Sequence, residues 1–278
     1  MVRKTSPGVG TVDNADSKSV GRKAVRVRLS PRAFCMPRSK LPPKDFEWSG
    51  ELAYAIGLLA TDGNLSGDGQ HITLRSSDKD QLETFKKCLH LSNKIAAPPA
   101  SGQYAVRTCY RIQFGGAQFY RWLLKIGLFP NKTYTIGPID VPDKFFRDFL
   151  RGHLDGDGSI TTYQDRYNTF KNSEYVYTRL FVRFISASKR HTEWIRNTII
   201  RLLGIKGDVH EAPPAQGRKG VSIWQLKFMK KESIKLLNWL YYSKDIPALA
   251  RKREKAERAL AVISSIKRKP YTRKFDTL

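Results

Sequence analysis

The chain has 278 residues, 40% hydrophobic and 11% aromatic, which suits one large domain or two fused units and excludes wholesale disorder. Fifty Lys and Arg against 25 Asp and Glu leave a net charge of +25, so the expected partner is a polyanion, nucleic acid before acidic membrane. The longest apolar run, Leu52 to Ala60, has nine residues, under half the roughly 20 of a membrane-spanning helix. No apolar signal-peptide core follows Met1. Cys35, Cys88 and Cys109 form no CxxC pair, which argues against a disulfide framework and a cysteine zinc site. An intracellular setting is expected, a bacterial cytoplasm or an organelle such as a mitochondrion or chloroplast.

Residues 1–45 read as a basic flexible arm, with eleven basic and two acidic side chains before residue 45. Its Arg-rich, acid-poor composition also fits a transit peptide. The first unit, 46–129, opens with a buried-looking helix from Leu52 to Gly63. A strand follows at His71–Ser76, then a helix at Lys79–Leu89 with Leu82, Phe85 and Leu89 on one face. A strand at Tyr104–Phe114 and a helix at Ala117–Ile126 complete it. Residues 130–142, rich in Pro and Gly and carrying Lys132, read as a linker.

The second unit, 143–246, repeats the order. It has a helix at Phe145–Gly156, strands around Ser159–Tyr163 and Tyr177–Ser186, and a helix at Lys189–Leu203. A strand at Ser222–Phe228 and a helix at Lys231–Tyr241 follow. The tail, 247–278, holds a basic helix at Ala248–Ile266 with Ala256, Ala259, Leu260 and Ile263 on one side.

The two opening helices share one pattern. The first copy is Ala55-Ile-Gly-Leu-Leu-Ala-Thr-Asp-Gly63, the second Leu150-Arg-Gly-His-Leu-Asp-Gly-Asp-Gly158. A mid-helix glycine costs about 1 kcal/mol relative to alanine and is tolerated where another backbone comes close. Gly57 and Gly152 therefore mark a seam between the helices. Each helix then ends in Asp-Gly, where the glycine is expected to cap the C-terminus and the aspartate sits at the unfavourable, negative end of the dipole. Side by side, Asp62 and Asp157 would raise each other's pKa unless a cation intervenes, and oxygen ligands of that kind suit Mg2+. Taken singly, either Asp-Gly reads equally well as a plain turn.

This paired motif resembles that of the LAGLIDADG homing endonucleases in their single-chain, two-motif form, over roughly residues 50–245. The resemblance implies an α+β fold of two pseudo-symmetric αββαββα units, each with a saddle-shaped antiparallel sheet, joined through the two motif helices. It also implies a role: a site-specific, metal-dependent double-strand break in a long DNA target with short 3′ overhangs. A monomer with Mg2+, or another divalent ion such as Mn2+, is implied. By the same likeness Asp62 and Asp157 bind metal and cut one strand each, and Asp155 is a structural acid. Ala60 replaces that acid in the first copy, and Thr61 stands where a small residue is usual. The family often adds a polar side chain from the strands, which in the alignment of Arg111–Phe114 with Gln225–Phe228 points to Gln113 and Lys227, with Lys227 polarising the attacking water or the phosphate. Asp78 and Ser188 match another polar position, or are helix N-caps. The alternative on the same scaffold is an intron RNA maturase or a non-cleaving DNA-binding protein. An intein is disfavoured, because no splicing nucleophile opens the chain and no His-Asn closes it.

Strand alternation assigns the DNA-facing residues. They are Thr73 and Arg75; Arg107, Arg111 and Gln113; Arg179 and Arg183; and Gln225 and Lys227, with Arg218 and Lys219 gripping phosphate from a loop. The five histidines form no HxxxH or HxH spacing, and His153 reads as packed against a neighbouring helix. No GxxxxGK[ST] sequence is present, which disfavours ATP use.

Overall fold

The structure, a computed structural model, describes residues 46–97, 109–213 and 222–265. The basic arm, Arg107, Arg218 and Lys219 lie outside the described residues. At the centre lie two helices. Helix α1, Gly50–Thr61, starts at Ser49, whose hydroxyl accepts from the Leu52 amide at 3.1 Å, with Glu51 in the favourable first turn. Every residue from Leu52 to Ala60 is buried, as its apolar character on all sides requires. Helix α4, Asp143–Asp157, begins directly after Pro142. The two meet at the expected glycines. A β-carbon on Gly57 would lie 2.1 Å from the Phe149 carbonyl oxygen, and one on Gly152 would lie 2.1 Å from the Tyr54 carbonyl oxygen. Each glycine thus sits under the carbonyl three residues ahead of its counterpart.

Each helix feeds an antiparallel sheet. In the first unit β1 (Gly63–Leu65), β2 (His71–Ser76) and β3 (Tyr110–Gly115) lie in that order, backed by α2 (Lys79–Cys88) and α3 (Ala117–Lys125). In the second, β4 (Ser159–Asp165), β5 (Tyr177–Ser186), β6 (Asp208–Ala212) and β7 (Ile223–Phe228) pair in the order β4-β5-β7-β6. Helices α5 (Lys189–Leu203) and α6 (Lys230–Leu240) belong to that unit, and α7 (Ala250–Ser265) follows it. Ile72, Leu74, Ile112 and Phe114 point from the first sheet into the core, as Leu180, Val182, Phe184, Leu226 and Phe228 do from the second.

Several expectations are corrected. Strands β1 and β6 are part of the αββαββα order that the resemblance implies but are absent from the element-by-element reading; the first has three residues and the second is mostly polar, so neither shows a periodic apolar signal. Of the strand expected at 104–114, the described part is β3, and Ala96 bridges to Arg111 where β6 pairs with β7 in the other unit. Residues 130–142 are no free spacer. They contain a 3-10 turn at Lys132–Tyr134 and bury Lys132, Ile136 and Ile139. Gly63 and Gly158 are not left-handed caps: Gly158 is extended at φ −82°, ψ 166°, and Gly63 is not among the positive-φ residues. Tight space explains them instead. A β-carbon on Gly63 would meet Leu59 Cα at 2.6 Å, and one on Gly158 would meet Leu154 Cα at 2.7 Å.

Candidate active site at the helix crossing

The two motif helices deliver their last acids to one place. Asp62 caps α1, its amide donating to Leu58 O at 2.9 Å, and Asp157 ends α4. The Asp62 carboxylate lies against Gly156, where a β-carbon would come 2.9 Å from Asp62 Oδ2. It would also come 2.0 Å from Thr61 Oγ1, so the larger residue of the first copy fills the space left by the smaller one of the second. Thr61 Oγ1 donates to Leu58 O at 3.0 Å.

Burial pushes both carboxyls up. Asp62 rises to about 6, with the charge of Asp157 adding to desolvation, and Asp157 is raised by burial. Among the described residues neither takes part in a salt bridge. Two lysines act on them from a distance. Lys132 Nζ donates to Gly63 O. Lys252 Nζ donates to Leu154 O (2.5 Å), Asp155 O (2.8 Å), Gly156 O (3.1 Å) and Gly158 O (2.9 Å). Gly63 and Gly158 are equivalent positions of the two motif copies, so these lysines are a pseudo-twofold pair. Both are buried. Burial lowers each to about 8, against the opposing pull of the carboxylates.

Two residues unique to the second copy anchor the connection that carries Lys252. The fully buried Arg151 donates to Pro247 O (2.7 Å), Leu240 O (3.0 Å) and Asp148 Oδ1 (2.7 Å). Asp155 Oδ2 accepts from the Leu249 amide (2.7 Å) and the Tyr54 hydroxyl (2.9 Å). Asp155 is thus placed as a structural acid. Burial raises it to about 6.

The other candidates fall elsewhere. Lys227, opposite Arg183 in the sheet, holds its ammonium 4.5 Å from the centre of the Phe181 ring. Gln113 lies opposite Thr73, its carbonyl accepting from Asn93 at 3.0 Å. The charges of Lys132 and Lys252 both act on Asp62 and Asp157. The sequence held a signal for one of them. Lys252 stands in register with Ala256 and Ala259 on the apolar face of α7. Lys132, in a stretch of Pro and Gly, gave none.

Registers Thr73↔Gln113, Arg75↔Arg111 and Arg183↔Lys227 put the expected polar residues on the sheet faces opposite the core. Gln225 pairs with Ile185 on that same face. Arg179 is tied to Asp165 at 2.7 Å and Arg183 to Thr161 at 3.2 Å. Ser188 caps α5, accepting from the His191 amide and donating to Ile136 O at 2.6 Å. Asp78 precedes α2 without capping it and pairs with Arg251 at 2.7 Å. His153 is buried and stacks on His191 at 5.3 Å.

Among the described residues no three His, Cys, Asp or Glu side chains cluster as a metal cage. A two-carboxylate donor set, desolvated and without a direct counter-ion, still fits Mg2+, which takes one or two carboxylates and fills its octahedron with water and substrate phosphate.

No protein-family model matches the chain, and no curated protein matches it in sequence. Solved structures do. The LAGLIDADG meganuclease I-AabMI bound to uncleaved DNA is 13% identical with a TM-score of 0.51, covering 76% of this chain and 89% of that one. Meganuclease I-SmaMI bound to uncleaveable DNA is 12% identical at 0.50, covering 80% and 92%. Full-length DUF199/WhiA from Thermatoga maritima is 15% identical at 0.46; 81% of this chain matches it and spans 65% of its length. With a seam of paired glycines, two antiparallel sheets and twin helix-ending aspartates already in place, this chain has the fold of the LAGLIDADG homing endonucleases.

Proposed function

We propose that the protein is a site-specific DNA endonuclease that makes a double-strand break with short 3′ overhangs, using Mg2+ or a similar divalent ion. The observation that carries this reading is the convergence of Asp62 and Asp157, each beside a carbonyl gripped by a buried lysine. Both acids come from one chain, so a monomer supplies a complete site. A bound divalent ion would supply charge neutralisation and a more acidic water. Asp62 and Asp157 would hold it. Lys132 and Lys252 fix the carbonyls behind the aspartates, and their charge would stabilise a phosphate held there as it becomes more negative. Arg75, Arg111, Arg183 and Gln225 on the outer sheet faces are suited to base edges in the major groove, and the basic termini to phosphates.

The test is cleavage selection from a randomised duplex library with Mg2+, followed by binding and cutting of the recovered site. Asp62→Asn and Asp157→Asn should abolish double-strand cutting while binding persists. Unchanged cutting removes the site assignment. A wild-type protein that binds and never cuts is instead a binding protein on this scaffold.

A further inference from the structure

Among the described residues, the two units differ in length at one hairpin. In the first, the 3-residue β1 and the 6-residue β2 turn through residues 66–70, which include Gly67, Asp68 and Gly69. In the second, the 7-residue β4 and the 10-residue β5 extend further and join through residues 166–176. This hairpin stands its rings in solvent: Tyr167 is 81% exposed and Phe170 73%, with Tyr163, Tyr175 and Tyr177 between 42% and 49%. The rings and cations alternate. Tyr175 and Tyr177 lie 6.4 Å apart at 31°, Arg179 sits 5.8 Å from the Tyr177 ring, and Lys171 sits 5.4 Å from that of Phe170. Strand β7 pairs with β5 only from Val182 to Ser186. Beside the remaining edge opens a cavity of about 240 Å3, lined by Val176, Tyr177, Arg179, Phe181, Met229 and Lys230. That is smaller than a pocket for a drug-sized ligand and suits a single planar ring.

A large ring left in water forgoes about 1.5–3 kcal/mol of burial. A duplex recovers only part of that loss, because its bases already stack on one another and present edges, thymine methyls and phosphates rather than ring faces. An unpaired strand recovers more: each base has a free face, stacking on an aromatic side chain contributes about 1–3 kcal/mol, and interleaved cations meet the phosphates between bases. We propose that the β4–β5 hairpin is a binding site for unpaired nucleic acid, with bases stacked on Phe170, Tyr175 and Tyr177 and one base held in the cavity beside β5. The site is separate from the helix crossing and does not require the chain to cut DNA.

The test measures fluorescence anisotropy of labelled oligo-uridylate and oligo-thymidylate of about 12 nucleotides, and of a random-sequence duplex, with the full chain. The comparison is with the triple variant Tyr167→Ser, Phe170→Ser, Tyr175→Ser, assayed at a temperature at which its melting curve shows it folded. Loss of Phe170 and Tyr175, two of the three stacking rings, should weaken at least one single strand about 30-fold or more, with duplex binding within about twofold. The strand that loses more identifies RNA or DNA as the natural source. Unchanged single-strand affinity overturns the proposal. So does a parallel loss on duplex, which would make the hairpin part of the duplex platform. So does a wild-type dimer, seen in sedimentation, that the variant dissolves. Asp62→Asn leaves the hairpin intact, so failure of the cleavage reading shows separately.

Discussion

A methyl group on Gly57 would lie 2.1 Å from a backbone oxygen, and no rotamer can move it. The alanine gains about 1 kcal/mol in helix propensity, against an overpacking cost of about 1–3 kcal/mol or more. The clash with rigid backbone puts Gly57→Ala at the upper end, so the variant should be destabilised in urea unfolding. Gly67→Ala, in open space, should stay near wild type. Lys252→Met leaves four carbonyls without their ammonium. It should cut the cleavage rate about 10²–10³-fold, the usual effect of losing one electrostatic donor, while duplex affinity changes little; equal loss of binding would assign Lys252 to DNA contact. Burial holds His191 at about 4 and His153 well below its ordinary value, with Lys132 and Lys252 respectively adding to the effect. Their folded values are depressed, so stability is present above about 6.5 and lost as pH falls toward 4. For His191 that loss is about 2 kcal/mol at pH 5. Asp62 and Asp155, raised to about 6, act in the opposite direction over the same interval. His191→Gln should therefore be less acid-labile than wild type when melting temperatures are compared from pH 7.5 to 5. Asp62 and Asp157 were legible because a motif occurs twice. Lys132 was not, because an isolated Lys among prolines looks solvated until the fold buries it; Lys252 carried only its register with Ala256 and Ala259.

Helices were readable wherever an apolar face repeats, as in α1, α2 and α5, and their ends fell within about two residues of expectation. Short or polar strands were not, since β1 and β6 are defined by their partners rather than by their own composition. The connection from α6 to α7 shows how one element positions another. Arg151 and Asp155, inside α4, hold the carbonyls of Leu240 and Pro247 and the amide of Leu249, and so bring Lys252 to the carboxylates. Arg151→Met takes the counter-charge from Asp148, which among the described residues keeps only the Tyr242 hydroxyl, and the donor from two buried carbonyls. Breaking a buried pair costs about 3–5 kcal/mol, so denaturant unfolding should register a loss of that order, and hydrogen exchange should quicken at residues 241–249 ahead of the sheets. Protection there equal to wild type would mean the connection is held by other contacts.

At the scale of the molecule, charge governs affinity. With +25 net charge and cations on both outer sheet faces, duplex binding should fall about 10³-fold or more between 50 and 200 mM salt; a change below about tenfold would argue against a phosphate-gripping platform. The duplication was plain in the sequence, but the lengthened hairpin was not, because Tyr and Phe between strand residues read as core until their exposure is seen.

The fit of Thr61 into the space at Gly156 sets which halves can pair. Two copies of the N-terminal half would set one threonine against another, and two copies of the C-terminal half would leave a void. Each half has become a lock for the opposite key. Expressed as separate polypeptides, they should find each other in preference to themselves, and neither could self-pair equally well without first mutating at that spot.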